Sequence, residues 1–175
     1  MKYVIAILAC LAVPLPAAAD EVPADTVAEM GEMLEACWQD ADCAPDGALN
    51  FCGEAINAGG SPNAWAFCQQ VVYEWWDAKL NATYQARMTQ QEGYDADRDG
   101  TPYQDALRDM QRAWIPFRDA ACSFAARGQP GGSGAITDQM ECLIQMTITQ
   151  LQFIDQPLFC INDPARCAEP HEIRF

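Results

Sequence analysis

Lysine is almost missing from this chain of 175 residues. Lys2 and Lys79 are the only two, and 10 basic side chains face 25 acidic ones, a formal net charge of −15. So acidic a surface repels nucleic-acid phosphates and favours basic partners. Histidine is scarcer still. His171 stands alone, near the C-terminus, which argues against a Ser-His or Cys-His hydrolase, whose nucleophile needs a positioned imidazole. No CxxC spacing occurs, so the cysteines do not read as a zinc site. No internal repeat and no strand-like alternation is present, and no apolar stretch is long enough to span a bilayer.

The sustained apolar stretch that does occur is "YVIAILACLAVPLPAAA", behind Met1-Lys2 and broken by Pro14 and Pro16. A basic start, an apolar middle and small residues at Ala17 to Ala19 read as a signal peptide over residues 1–19, cleaved before Asp20. The competing reading is lipidation at Cys10 after "ILA", with a leader of only nine residues. Cleavage leaves 156 residues, one domain's worth, and removes Lys2, taking the charge to −16. The expected protein is periplasmic or secreted, without membrane insertion.

Cys10 leaves with that leader. Eight cysteines remain: Cys37, Cys43, Cys52, Cys68, Cys122, Cys142, Cys160 and Cys167. An even number in an exported chain reads as a disulfide framework, although eight cysteines allow on the order of a hundred pairings. The expectation is pairing of neighbours in sequence: Cys37–Cys43, Cys52–Cys68, Cys122–Cys142 and Cys160–Cys167.

The periodicity predicts an all-α protein, a small bundle of about four helices stapled by disulfides. A first helix is expected from Thr26 to Trp38 with Asp25 as N-cap. A stretch punctuated by cysteine, glycine and proline follows, to Pro62. A long second helix runs from Asn63 to Gln91, with Tyr73, Trp76, Leu80, Tyr84 and Met88 on one stripe and Cys68, Val72 and Trp75 beside it. This places both tryptophans in the core rather than on a binding surface. Thr101 and Pro102 open a third helix reaching Arg127, with Tyr103, Leu107, Met110, Trp114, Phe117, Ala121 and Phe124 as its core stripe and a kink expected at Pro116. "RGQPGGSGAI" is a connector. Thr137 then caps a fourth helix to Asp155, with Met140, Ile144, Ile148, Leu151 and Ile154 inward. The chain thus divides into a cysteine-containing extension (20–62), a helical domain (63–155) and a cysteine-containing tail (156–175).

Three segments carry a resemblance. "QRAWIPFRDAAC" (111–122) holds Arg112, Trp114, Phe117, Arg118, Asp119 and Cys122. "FCQQVVYEWWDAKLNATYQ" (67–85) holds Cys68, Asp77, Leu80, Asn81 and Tyr84. "CLIQMTITQ" (142–150) holds Thr147, and "GGSG" precedes it. Together they resemble the lysozyme inhibitor LprI-like family, from about Cys52 to Ile154. One departure stands out. The resemblance leads one to expect an arginine three residues after Thr147, and Gln150 is there instead.

Most of this motif reads as scaffold. Trp114 and Phe117 fall on the core stripe; Arg112 and Arg118 lie off it, with Asp77 and Asp119 as expected partners for an arginine–carboxylate fork. The resemblance implies a binding protein, not an enzyme, whose target is a basic lysozyme-type muramidase. Target contacts are expected from Gly131, Gly132 and Ser133 or from His171 and Arg174. An envelope protein without a lytic target is the alternative. No cofactor is required, but "DADRDG" (95–100) matches the first half of a calcium loop, with Asp95, Asp97, Asp99 and the Thr101 carbonyl as ligands. Its twelfth position is Ala106, so the bidentate glutamate is missing.

Overall fold

The computed structural model describes residues 22–39, 45–56, 62–90, 103–128 and 131–155. Among them are five α-helices and no strand: α1 (Ala24–Gln39), α2 (Asp46–Ala55), α3 (Pro62–Gln90), α4 (Tyr103–Ala125) and α5 (Ser133–Asp155), with a 3₁₀ turn at Ala126–Gly128 after α4. The expected all-α class is the observed one.

α1 buries Thr26, Met30, Leu34 and Cys37, one helical face. It starts before the expected cap. The amide of Val27 already bonds to the carbonyl of Pro23 at 3.0 Å, so Asp25 lies in the first turn, where its carboxylate accepts the Thr26 amide at 2.8 Å. α2 occupies the stretch read as a connector. It hides Ala48, Leu49, Cys52 and Gly53, and tertiary contact rather than propensity holds it. A Cβ on Gly53 would lie 2.5 Å from the Trp65 ring, and Cys52 is bonded to Cys68 of α3.

The central pair is α3 and α5. Gln69 donates to the carbonyl of Thr137 at 3.4 Å, and Arg87 reaches Asp155 at the far ends. The contacts advance together along both helices, so α3 and α5 run parallel. α4 runs against both: Gln104 donates to the Met88 carbonyl at 2.6 Å, Arg118 meets Asp77, and Cys122 is bonded to Cys142. One core cluster joins all five helices, from Val22, Met30 and Leu34 through Val72, Trp76 and Leu80 to Leu107, Ile144 and Leu151. Trp76 is buried and Trp75 partly so, edge-on to each other with Trp38 of α1 alongside. Both belong to the packing, as expected.

The disulfides Cys52–Cys68 and Cys122–Cys142 are formed as anticipated. Cys37 is disulfide-bonded as well. Cys43, Cys160 and Cys167 lie outside the described residues.

Two helix starts and one stripe differ from expectation. α5 begins at Ser133, not after Thr137. Its start follows Gly131 and Gly132, whose φ values of 98° and 85° are left-handed and suit glycine. Thr137 is therefore inside the helix, with its hydroxyl donating back to the Ser133 carbonyl. α4 passes through Pro116 as continuous helix. On α4, Phe117 and Phe124 are not core. They are 63% and 75% exposed, while Leu107, Gln111 and Cys122 are buried. The inward face is turned toward Gln111 and Arg118 because that side carries the groups that bond across to α3 and α5.

Candidate functional site

The motif residues converge where α4 crosses α3. Arg118 is the hinge of that crossing. Its side chain is 11% exposed, and its guanidinium lies 3.4 Å from Oδ1 of Asp77 and 2.9 Å from Oδ1 of Asp119. It also stacks 4.9 Å from the centre of the Trp114 ring and 5.8 Å from that of Tyr73. A cation held between an aromatic of each helix gains about 1–2 kcal/mol when partly desolvated. Asp77 is shared: Oδ1 faces Arg118, while Oδ2 accepts from Asn81 at 3.0 Å. Asp77, Asn81, Trp114, Arg118 and Asp119 therefore form one connected network.

The other motif residues stand apart. Leu80 is in the core and Tyr84 packs partly against it. Thr147 is fully buried, its hydroxyl without a hydrogen-bond partner. Arg112 does not join the network. It is exposed, 3.9 Å from Asp109 one turn earlier, because the face that turns inward carries Gln111 and Arg118. Gln150, where an arginine was expected, is buried and donates to Oε1 of Gln111 at 2.6 Å and to Sδ of Met110 at 2.9 Å. A neutral pair thus joins α4 to α5 at the position where the resemblance led one to expect an arginine.

Burial raises the pKa of the Tyr73 phenol above its ordinary 10.0, and the nearby Arg118 partly offsets this. The proton is held more tightly in the folded state, so the associated stability is complete below pH 10.0 and declines as pH climbs through the raised value. Urea midpoints measured on either side of that pH are expected to fall in the wild type and to fall less in Tyr73→Phe. Equal slopes in the two proteins would count against it.

Charge is unevenly placed. Among the described residues, Lys79 pairs with Glu35, Arg87 with Asp155, Arg108 with Asp105, Arg112 with Asp109 and Arg118 with Asp77 and Asp119. Asp25, Glu29 and Glu32 have no such cation. They recur at helical spacing on the exposed face of α1, and Asp46 and Glu54 of α2 are likewise exposed. The sequence alone counted this charge without locating it, although the four-and-three spacing of Asp25, Glu29 and Glu32 could have placed it on one face of α1. Gly131, Gly132 and Ser133 lie at the opening of α5, the two glycines exposed. His171 and Arg174, and the calcium-loop residues Asp95, Asp97, Asp99 and Thr101, fall outside the described residues. Within those residues no three His, Cys, Asp or Glu side chains gather as a metal site, and no helix is long and apolar enough to cross a membrane.

Five helices, with disulfides joining α2 to α3 and α4 to α5 and an arginine–carboxylate network at the α3–α4 crossing, define a small disulfide-stapled helical domain. The family model "Lysozyme inhibitor LprI" matches residues 52–153, and the chain belongs to that family. No curated protein and no solved structure matches it. The match begins at Cys52 and takes in the network, both central disulfides and the Gln111–Gln150 pair.

Proposed function

We propose that this protein is exported to the periplasm or beyond after loss of residues 1–19 and binds a basic lysozyme-type muramidase, inhibiting it without catalysis of its own. The observation that carries this reading, beside family membership, is the exposed row Asp25, Glu29 and Glu32 on α1, which no cation among the described residues pairs. An acidic field of this kind steers a cationic enzyme into encounter. The staples and the Arg118 network keep the scaffold ordered beforehand, so little entropy is lost on binding. The disulfides suit an oxidising compartment. Either Gly131, Gly132 and Ser133 or His171 and Arg174 of the tail are the proposed contacts at the enzyme's cleft.

The test is muramidase turnover of a cell-wall suspension, titrated with the oxidised protein at two salt concentrations. Saturating inhibition near one-to-one that persists in high salt is expected. Glu29→Gln with Glu32→Gln should slow association several-fold at low salt and leave dissociation unchanged. Absence of inhibition at both salts would overturn the reading, and inhibition that vanishes in salt would reduce it to charge attraction alone.

A further inference from the structure

Ala106, Met110, Ala113, Phe117, Ala120 and Phe124 alternate at four and three residues along α4. This is the spacing of a helix that packs lengthwise on another helix. Met110 packs against the core and accepts from Gln150 of α5, but no described element covers the other five. Met110 is partly buried, the other five are exposed, and Phe117 and Phe124 are among the most exposed large apolar side chains described. Single exposed apolar residues are ordinary; five in register on one helix, with Met110 at their edge, mark a contact surface.

We propose that this face docks a second copy of the chain, as an antiparallel α4–α4 pair about a two-fold axis. The residue order selects that occupant. Antiparallel pairing centred on residue 115 sets Ala106 against Phe124, Met110 against Ala120 and Ala113 against Phe117, and symmetry repeats the three. Each phenylalanine meets an alanine, and each large side chain a small one. A two-fold interface requires such a self-complementary patch.

Charge selects it too. A chain at −15 repels its own copies, but that excess is not on this helix. α4 carries Asp105, Asp109 and Asp119 against Arg108, Arg112 and Arg118. The unpaired carboxylates of α1 lie elsewhere. α1 meets α3 at Trp75, Trp76 and Lys79, whereas α4 meets it at Tyr73 and Asp77. At about 100° per residue, positions 73 and 77 face nearly away from 75 and 79. In the proposed register Asp109 falls across from Ser123 and Pro116 across from its own copy, so no like charges meet at the outer edge. A cationic partner would gain nothing electrostatic from so neutral a seam. The seam is about 27 Å long at 1.5 Å per residue, modest for an interface, so association in the micromolar range is expected.

Sedimentation equilibrium of the oxidised chain by itself, across the micromolar range, is the test. A monomer–dimer equilibrium is expected. Phe117→Ser with Phe124→Ser should weaken it by about 100-fold, as loss of central apolar anchors does. Ala113→Glu, which sets a charge beside each phenylalanine, should do the same. Circular dichroism should stay unchanged, since all three positions are exposed. A monomer throughout, or a dimer of unaltered affinity in both variants, would overturn the proposal. So would a monomeric wild type whose muramidase binding is lost on Phe117→Ser with Phe124→Ser, which would give the seam to the enzyme. Because self-association is read without any enzyme, the outcome is independent of the inhibitor reading.

Discussion

Replacing Gln150 with arginine is expected to destabilise the protein by about 3 kcal/mol, the cost of an uncompensated buried charge. The site is closed, and the two groups that Gln150 donates to, Gln111 Oε1 and Met110 Sδ, are both neutral. Arginine would bring a longer stem and a full charge into the α4–α5 contact without a carboxylate to meet it. Supplying one reverses the argument. Gln111→Glu alone buries a carboxylate beside a neutral amide and should also destabilise. The double variant can form a forked ion pair, so it should recover about 2 kcal/mol relative to the sum of the two single losses. Urea denaturation of the four proteins completes the cycle. Additive losses would show that the contact is read by volume rather than by charge. Recovery would show that this crossing can be joined by an ion pair as well as by the neutral pair.

Removing the Cys122–Cys142 bridge as a double alanine variant should lower stability by about 3 kcal/mol in the chain-entropy account of a loop this long. The two cysteines are 20 positions apart, and the segment they close includes Gly131 and Gly132. Small domains hold only about 5–15 kcal/mol in total, so this is a large share. Cys122 is fully buried, and its sulfur lies 3.7 Å from that of Met146. The functional effect should be larger than the fraction unfolded accounts for. On the proposed reading, with the bridge gone the Gly131–Ser133 turn would have to be ordered at the moment of binding, so inhibition should weaken at temperatures where the variant is still folded. Denaturation midpoints and a muramidase titration on the same preparation separate the two effects. A loss under about 1 kcal/mol would mean that the packing of Leu107, Ile144 and Leu151 already fixes these helices.

Much of the fold was legible because helical periodicity is a local property. Trp76, Leu80, Ile144 and Leu151 were placed inward by spacing and are buried, and the two central bridges followed from nearest-neighbour pairing. The helix α2 was not legible. Ten residues containing two glycines and a cysteine carry little helical signal, and what stabilises them is the bond from Cys52 to α3 and the Trp65 ring over Gly53, both distant in sequence. The candidate site was half legible. Asp77 and Arg118 were paired in advance through the motif, but Arg112 was given a share in that pairing that its outward position denies.

The sequence by itself determined the class: a stapled, strongly acidic, helical protein, poor in histidine and lysine, whose motif resembles an inhibitor family. Composition, cysteine count and spacing settle such things because each is a sum over residues or a property of one helix. Which side of a helix faces inward is another matter. The stripe through Phe117 and Phe124 is as regular as any buried one, and periodicity cannot tell a covered face from an open one. The tertiary structure decided it. α3 and α5 both lie on the Arg118–Cys122 side of α4, where a cation finds two carboxylates and two aromatic rings and a thiol finds its partner. Those bonds fix the rotation of the helix and leave the phenylalanines outside.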